Sequence, residues 1–503
     1  MTLRELLDAV ALRPSPPQEP SAAEVTGISY DSRQVTQGAV FVALRGVTAD
    51  GARFVPQAVA NGAIAVVAES APPAGSTVPW IRVPNARAAL ADLAAEYYGN
   101  PSGELALVGI TGTNGKTTTT YLLASIFEAA GIKCGRIGTI GYQIGNRELD
   151  ASRTTPEAPA LQRMLREMLA QNCGACVMEV SSHALAWRRV DRLHFAAAIF
   201  TNLTRDHLDF HGDMESYFLA KRRLFEILPD GAVGVINVDD RRGGDLATVA
   251  RRPVTYAIDA NADVRPGPLS FSLDGLSFEA RTPRGTLHVR SRLVGRPNAY
   301  NILAAAAAAM ALDLPFSAIE AGIGALESVP GRFQVVSETA DDVRVIVDYA
   351  HTDDALKNLL ETARPMATGR VVTLFGAGGD RDRTKRPLMG AVAARLSDLV
   401  IVTSDNPRSE DPEKIIEEVR RGIVVPSDRL APKGQKGTPS LAIVDRAEAI
   451  DKAIKDARPG DLILLAGKGH EKYQVIGDRQ IPFDDVAVAR TALARRRSRS
   501  RVS

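Results

Sequence analysis

The sequence is poor in cysteine, with three in 503 residues, at Cys134, Cys173 and Cys176. Three cannot all pair within one chain, so no disulfide framework is expected and a reducing compartment, the cytoplasm, is the simplest location. Cys173 and Cys176 form a lone C-x-x-C without a second ligand pair, which predicts two small buried hydrophobes before a strand at 177–180 rather than a redox pair or half a zinc site. An excess of charge of one sign is also missing. Lys+Arg is 61 and Asp+Glu is 59, a net charge of +2, which carries no general nucleic-acid or membrane signal. No apolar run reaches the roughly 18 residues that a membrane span needs. Residues 1–11 lack a basic segment followed by a long apolar core, so no secretory signal is expected. What is present, 45% hydrophobic and 24% charged residues, fits an ordinary globular chain. The length suggests about three domains.

The most informative stretch is Gly109-Ile110-Thr111-Gly112-Thr113-Asn114-Gly115-Lys116-Thr117-Thr118. An apolar run at 105–110 leads into it. A helical pattern follows, with Leu122, Leu123, Ile126, Phe127 and Ala130 on one face and Gly131 as C-cap. Strand, glycine turn and helix make a phosphate cradle: glycines let backbone N–H groups face an anion, the helix N-terminus adds partial positive charge, and Lys116 adds a full one. The Thr117 hydroxyl is placed to ligate Mg²⁺. A strict G-x-x-x-x-G-K-[ST] pattern would have glycine where Ile110 stands, so the local version is G-T-N-G-K-T-T. A nucleoside triphosphate site is the expectation.

Residues 1–100 read as a small α/β domain with strands near 25–30, 39–44, 63–68 and 80–83. Asp31, Ser32 and Arg33 form a turn or hold a polar ligand. Residues 101–333 read as a central domain with a mostly parallel sheet. A strand at 175–180 brings Glu179 to its C-terminal end, where doubly wound sheets place metal and ligand groups. The strand at 196–200 leads into Asn202-Leu203-Thr204-Arg205-Asp206-His207-Leu208-Asp209-Phe210-His211, dense in groups that meet Mg²⁺ or phosphate. A helix at 214–228 carries Lys221, which by pattern alone is as well explained by a solvated face as by function. Asn298 is an N-cap by type for an alanine-rich helix at 299–311. Residues 334–503 read as a Rossmann-like doubly wound domain. Its strands end in Asp348, in Gly376–Asp382, in Asp405-Asn406-Pro407-Arg408 and in Gly467-Lys468-Gly469-His470-Glu471. Residues 426–439 predict an exposed loop, and the arginine-rich tail from Arg495 to Arg501 a solvated, disordered end in preference to an anionic-surface contact.

The phosphate loop, Glu179-Val180-Ser181-Ser182-His183, the 202–211 loop, Asn298 with Asn301, Gly331-Arg332-Phe333 and Asp348-Tyr349-Ala350-His351 together resemble the Mur ligases. These are ATP-dependent amide ligases that build the peptidoglycan stem peptide. The motifs stand in family order over nearly the whole chain. Asp405-Asn406-Pro407-Arg408 resembles the signature of the members that add meso-diaminopimelate. That acceptor differs from lysine by a second carboxylate, which a guanidinium binds bidentately while Asp405 and Asn406 accept from an ammonium.

The resemblance implies a UDP-binding first domain in which Tyr30, Ser32, Val47, Thr48, Ala49 and Asp50 contact UDP-N-acetylmuramoyl-L-Ala-D-Glu, with Thr154, Thr155, Ser181 and Arg189 on its dipeptide end. It implies that Gly112, Thr113, Asn114, Gly115, Lys116, Thr117 and Thr118 hold the ATP triphosphate, with Asn298, Arg332 and Asp348 on the rest of the nucleotide. Thr117, Glu179, His207 and Lys221 (as a carbamate) would be linked to Mg²⁺. Arg381, Asp405, Asn406, Pro407, Arg408, Gly467 and Glu471 would bind the amino acid. Lys116, Lys221 and His207 would serve the chemistry, an acyl phosphate on the D-glutamate γ-carboxylate that the amine then attacks. A monomer without nucleic-acid or membrane partners is expected. The chain departs from the family at Trp187, where a polar residue is usual, at Thr352-Asp353-Asp354 in place of T-P-D, and in a longer 426–439 loop. Three alternatives remain: a lysine-adding relative, a folylpolyglutamate synthase, and a P-loop switch that uses nucleotide only to change shape.

Overall fold

The computed structural model describes residues 1–15, 22–46, 49–423 and 438–500. Three α/β sheets follow one another along the chain. In the first, Gly27–Ser29, Ala39–Val42, Ala65–Ala68 and Trp80–Arg82 pair in sequence order, all parallel. The two middle strands are buried at every position, as continuous apolar runs in a doubly covered parallel sheet require.

The second sheet has eight strands. Ala106–Thr111 lies at its centre between Ala175–Glu179 and Ala197–Phe200, parallel to both. This topology decides the site. The loops after Glu179 and after Phe200 leave the sheet on either side of the phosphate loop, at the same edge. Val233–Asn237, Pro253–Tyr256 and Cys134–Ile137 extend the parallel sheet, and the strands Gly141–Ile144 and Arg147–Asp150 close one side antiparallel. The alanine-rich helix Arg296–Ala311 and the helix Lys116–Ala129 share one apolar core beneath this sheet. A small antiparallel sheet built on Gly275–Thr282 and Gly285–Ser291 packs on the same core.

The third sheet orders Gln334–Val335, Arg344–Asp348, Leu462–Ala466, Val371–Phe375, Leu399–Val402 and Ser440–Ala442, parallel except for the first strand. The four strand ends expected to carry ligand groups are therefore neighbours. A hairpin, Tyr473–Ile476 with Arg479–Pro482, follows the fourth of them. Among the described residues, no helix is long and apolar enough to cross a membrane.

Two expectations are corrected here. The alanine-rich helix begins at Arg296 with Gly295 as its N-cap, so Asn298 lies inside the first turn and donates to the Val294 carbonyl at 2.8 Å. Pro297 explains the earlier start, because proline is tolerated in a first turn that has no N–H to place. The arginine tail is not a disordered end: it is the last part of the helix Asp485–Ser500. Arg495, Arg496 and Arg497 pair with Asp451, Asp342 and Asp341 at 3.2, 2.7 and 2.9 Å, while Ala489, Ala492 and Leu493 bury the opposite face. Arg501 and residues 426–437 of the 426–439 loop lie outside the described residues.

Candidate active site

The phosphate loop is shaped by what surrounds it. Gly112 has φ 148° and Gly115 has φ 87°, values that favour glycine, and a Cβ on either would overlap the Thr201 hydroxyl or the Asn301 amide. The loop is also laced to the strand end beside it. Asn202 accepts from the Thr113 N–H through its carbonyl and from the Asn114 N–H through its side chain, both at 2.9 Å, and Thr201 donates to the Asn114 carbonyl at 2.6 Å. Lys116 Nζ donates to the carbonyls of Gly112 and Thr113 at 2.9 and 2.8 Å, and burial lowers its pKa. Thr117, Thr118, Thr119 and Thr120 stand in the first turns of the helix despite their weak helix propensity, and all four are buried. Packing overrides propensity here.

Glu179 is 1% exposed, so its carboxylate is cut off from water. Its Oε1 accepts from Thr117 Oγ1 at 3.0 Å and from the Thr139 N–H at 2.9 Å, and Oε2 accepts from Thr139 Oγ1 at 3.1 Å. Thr139 Oγ1 lies 3.0 Å from Thr154 Oγ1, and Thr155 Oγ1 donates to the Glu179 carbonyl at 2.9 Å. Ser181 caps the helix Ser182–Ala186 and lies 3.3 Å from Thr155 Oγ1. One hydroxyl-rich cluster therefore joins the phosphate loop to Thr154, Thr155 and Ser181. Arg189 is 5% exposed, pairs with Glu157 at 2.8 Å and donates to the Thr155 carbonyl at 3.0 Å. Trp187 lies between the guanidinium groups of Arg189 and Arg87, at 4.8 and 5.0 Å. Tyr30, directly after the strand Gly27–Ser29, has its pKa raised by burial and next by the Glu157 charge.

Lys221 is 1% exposed, which overturns the solvated-face alternative. Its Nζ donates to the Gly112 carbonyl at 2.8 Å, and burial, reinforced by Lys116, drives its pKa well below the usual lysine range. His207, in a left-handed conformation with φ 54°, stacks edge-on at 4.8 Å from His183. Burial holds its pKa down to about 4, against the pull of Asp206. Among the described residues, no three His, Cys, Asp or Glu side chains converge as a ready-made metal centre.

Across from this cluster, Arg332 donates to Thr117 Oγ1 at 3.2 Å and lies 4.6 Å over the Tyr349 ring. The Asp348 carboxylate accepts from the N–H groups of Phe333 and Ala350 at 2.6 and 2.8 Å, and burial raises its pKa. Asn114 also bonds Asp354 at 3.3 Å, so the phosphate loop touches the third sheet's layer directly. Thr352 caps the helix Asp353–Ala363, so the replacement of T-P-D leaves a sound helix start. A cleft of ≈ 1210 Å³ runs between the two halves, lined by Thr139 and Thr154 on one side and by Tyr349, His470 and Glu471 on the other.

Three profiles of known families cover this architecture: "Mur ligase family, catalytic domain" matches residues 24–98, "Mur ligase middle domain" 110–309, and "Mur ligase, glutamate ligase domain" 331–469. A UDP-N-acetylmuramoyl-L-alanyl-D-glutamate–2,6-diaminopimelate ligase from Geobacter metallireducens is 48% identical over 96% of this chain and 97% of its own. A protein of the same name from Solibacter usitatus is 48% identical over 98% of both. The chain belongs to the Mur ligase family. A solved structure of a ligase with that name superimposes with a TM-score of 0.68 at 34% identity, covering 96% of each chain.

In this Mur ligase the strand ends at 405–408 and 467–471 meet. Asn406 Nδ2 donates to Glu471 Oε2 at 2.8 Å, and the Gly467 N–H donates to the Asp348 carbonyl at 3.1 Å. The hairpin after Glu471 clasps the motif: Gln474 donates to the Asp405 carbonyl at 2.8 Å, Val475 accepts the Arg408 N–H at 3.0 Å, and the Gly477 N–H reaches the Arg408 carbonyl at 2.8 Å. Arg408 Nη1 donates to the Gly379 carbonyl at 2.7 Å, which places Arg408 beside the 376–382 loop that carries Arg381. The Pro407 carbonyl receives the Glu410 N–H at 3.0 Å.

The first sheet's residues are more dispersed. Ser32 donates to Gln57 at 2.8 Å, the Ala49 carbonyl accepts the Gly46 N–H at 2.8 Å, and the Asp50 side chain accepts the Ala52 N–H at 3.0 Å. Asp31 and Arg33 pair with each other at 2.7 Å, so the turn alternative describes them. Val47 and Thr48 lie outside the described residues. Cys134, Cys173 and Cys176 are free and buried, as small hydrophobes are. Sequence reasoning missed Thr139 and Lys468. Thr139 stands two residues after the short strand Cys134–Ile137, where a hydroxyl in a sheet-end loop was the available signal; Lys468 stood in view within Gly467-Lys468-Gly469.

Proposed function

We propose that this chain is the ATP-dependent ligase that joins meso-2,6-diaminopimelate to the D-glutamate γ-carboxylate of UDP-N-acetylmuramoyl-L-Ala-D-Glu, giving ADP and phosphate in peptidoglycan synthesis. The observation that carries the reading is the shared cleft. It brings the hydroxyl cluster around Glu179, next to the phosphate loop, opposite Glu471 and its neighbours Asp405, Asn406 and Arg408. The domains divide near residues 100 and 333, and one chain supplies both faces of the cleft, so a monomer suffices.

A carboxylate does not acylate an amine at neutral pH, because its oxygen is a poor leaving group. In the proposed sequence the γ-carboxylate of D-glutamate attacks the γ-phosphorus of ATP and ADP departs, leaving an acyl phosphate. The neutral amine of diaminopimelate then attacks the acyl carbon, phosphate leaves, and the nitrogen loses its proton. Lys116 and the helix N-terminus at Gly115 offset charge on the phosphate oxygens. Thr154, Thr155, Ser181 and Arg189 hold the dipeptide end so that its carboxylate faces the phosphate loop. Tyr30, Ser32 and the 47–50 segment hold the uridine end. Asn298, Arg332 and Asp348 frame the nucleotide. Closing the third domain on the second excludes water from a hydrolysable intermediate.

The residues fit Mg²⁺. Glu179 is a buried carboxylate that, among the described residues, receives only hydroxyl and amide donors, the oxygen-rich setting a hard cation takes. Thr117, Glu179, His207 and a carbamate on Lys221 would hold it, and it would neutralise phosphate charge when bound. The depressed pKa of Lys221 supplies the neutral amine that bonds the carbon of CO₂, releasing a proton and leaving an anionic carbamate in place of the neutral amine. Dependence on ATP and three free thiols agree with a cytoplasmic setting.

The test is phosphate release with ATP, Mg²⁺ and UDP-N-acetylmuramoyl-L-Ala-D-Glu, offering meso-diaminopimelate or L-lysine. Turnover should need all components and favour diaminopimelate. ATP hydrolysis indifferent to both other substrates would point to a switch, and a preference for lysine would overturn the acceptor assignment.

A further inference from the structure

Lys468 is fully buried, yet the mechanism above gives it no work. Its Nζ lies 3.4 Å from Asp405 Oδ1, 3.2 Å from Glu471 Oε2 and 3.1 Å from Asn406 Oδ1. All three of those residues are assigned to the amino acid. Two carboxylates therefore converge on one ammonium inside the pocket, leaving one net negative charge. Of the other charged groups nearby, Arg446 is closed by Asp485 at 2.7 Å, while burial lowers the Lys385 pKa against the pull of Asp206, Asp382 and Asp405. The Tyr349 hydroxyl lies 3.5 Å from Glu471 Oε1, and burial raises the pKa of both Tyr349 and Tyr473.

We propose that Lys468 is a positioning residue for the amino-acid acceptor. It fixes the ammonium-binding end of the pocket at one net negative charge and aims Asp405, Glu471 and Asn406 at the incoming ammonium. The proposal rests on the reading of the cleft as the diaminopimelate site. The acceptor's distal carbon carries an ammonium and a carboxylate. The ammonium closes the Asp405–Lys468–Glu471 group to neutrality, and Arg408 closes the carboxylate. Without the Lys468 charge, the buried Asp405 carboxylate and the half-buried Glu471 carboxylate lose the cation they share and one keeps a proton, which the acceptor must displace. The Asn406 side-chain oxygen Oδ1, held between Lys468 and the Val475 N–H at 3.0 Å, also loses one of its two donors.

The experiment is a charge-balance cycle with Lys468→Met, Glu471→Gln and the double variant, reading KM for each substrate by phosphate release. Each single variant should raise the diaminopimelate KM about ten-fold or more while the ATP KM stays within about two-fold. Lys468→Met should also make the diaminopimelate KM fall with rising pH more steeply than in the parent protein, as the trapped proton leaves. The double variant restores one net negative charge, so its KM should lie well below the product of the single effects. A purely structural lysine would give additive losses, equal changes in the ATP KM and no change in the pH profile, and any of these overturns the proposal. If Lys468→Met does not fold, the charge-balanced double variant decides alone: a diaminopimelate KM worse than that of Glu471→Gln refutes the role. Failure of the unmodified protein to ligate diaminopimelate would instead refute the reading of the cleft.

Discussion

Arg408 offers the sharpest test of acceptor choice. Its backbone is pinned by Val475 and Gly477, and Nη1 spends one N–H on the Gly379 carbonyl at 2.7 Å. A guanidinium has five N–H donors, so enough remain for a bidentate grip on a carboxylate. Each hydrogen bond to a charged partner contributes about 1.5–3 kcal/mol, so two contribute about 3–6 kcal/mol. At about 1.4 kcal/mol per decade, Arg408→Ala should lower kcat/KM for diaminopimelate by roughly 10²–10⁴. Arg408→Lys keeps the charge but not the fork and should lose about half of that in free energy. L-Lysine has no carboxylate at this end, so its kcat/KM should change by no more than about three-fold, and the ratio between the two acceptors should collapse. The assay is phosphate release at saturating ATP and UDP-substrate with each amino acid varied in turn. Equal losses for both acceptors, or a matching rise in the ATP KM, would refute the reasoning.

Gly112→Ala should abolish ATP binding and also lower the melting temperature by a few degrees, because the added Cβ overlaps the Thr201 hydroxyl at a φ of 148°; calorimetric ATP binding on the folded variant together with its melting curve checks it, and retained ATP affinity would refute it. Arg446→Met leaves Asp485 as a buried carboxylate without its partner, both side chains being 0% exposed, and should cost about 3–5 kcal/mol in denaturant unfolding, whereas a loss under about 1 kcal/mol would show the pair to be dispensable. Glu410 is held down from 4.5 to about 2, chiefly by its hydrogen bonds to Arg386. Because the folded-state value is depressed, the stabilisation is complete above pH 4.5 and is lost as pH falls toward 2, so Glu410→Gln should flatten the acid limb of the stability curve in that window. If Lys221 is carbamylated, intact-protein mass spectrometry under CO₂ should show a gain of one CO₂ that Lys221→Ala lacks.

The sequence by itself determined the strand–glycine–helix phosphate loop, the carboxylate at the end of the strand Ala175–Glu179 and the four charged strand ends of the third sheet. These features are local: a period of apolar residues, a glycine with nowhere to put a Cβ, and a polar cluster where a buried run stops. Only the tertiary structure decided which of them touch. Thr139 reaches Glu179 because Cys134–Ile137 lies beside Ala175–Glu179 in the sheet, an adjacency that no local spacing encodes. Lys468 looked like an ordinary lysine and pattern left Lys221 undecided; burial against groups distant in the chain, Asp405 for the one and Gly112 for the other, gives them their setting. The arginine tail likewise reads as solvated until Asp341, Asp342 and Asp451 stand opposite it. Pattern sets the conformation of a segment, whereas the protonation and partner of a charged side chain depend on desolvation and on neighbours that only the folded chain brings within a few ångströms.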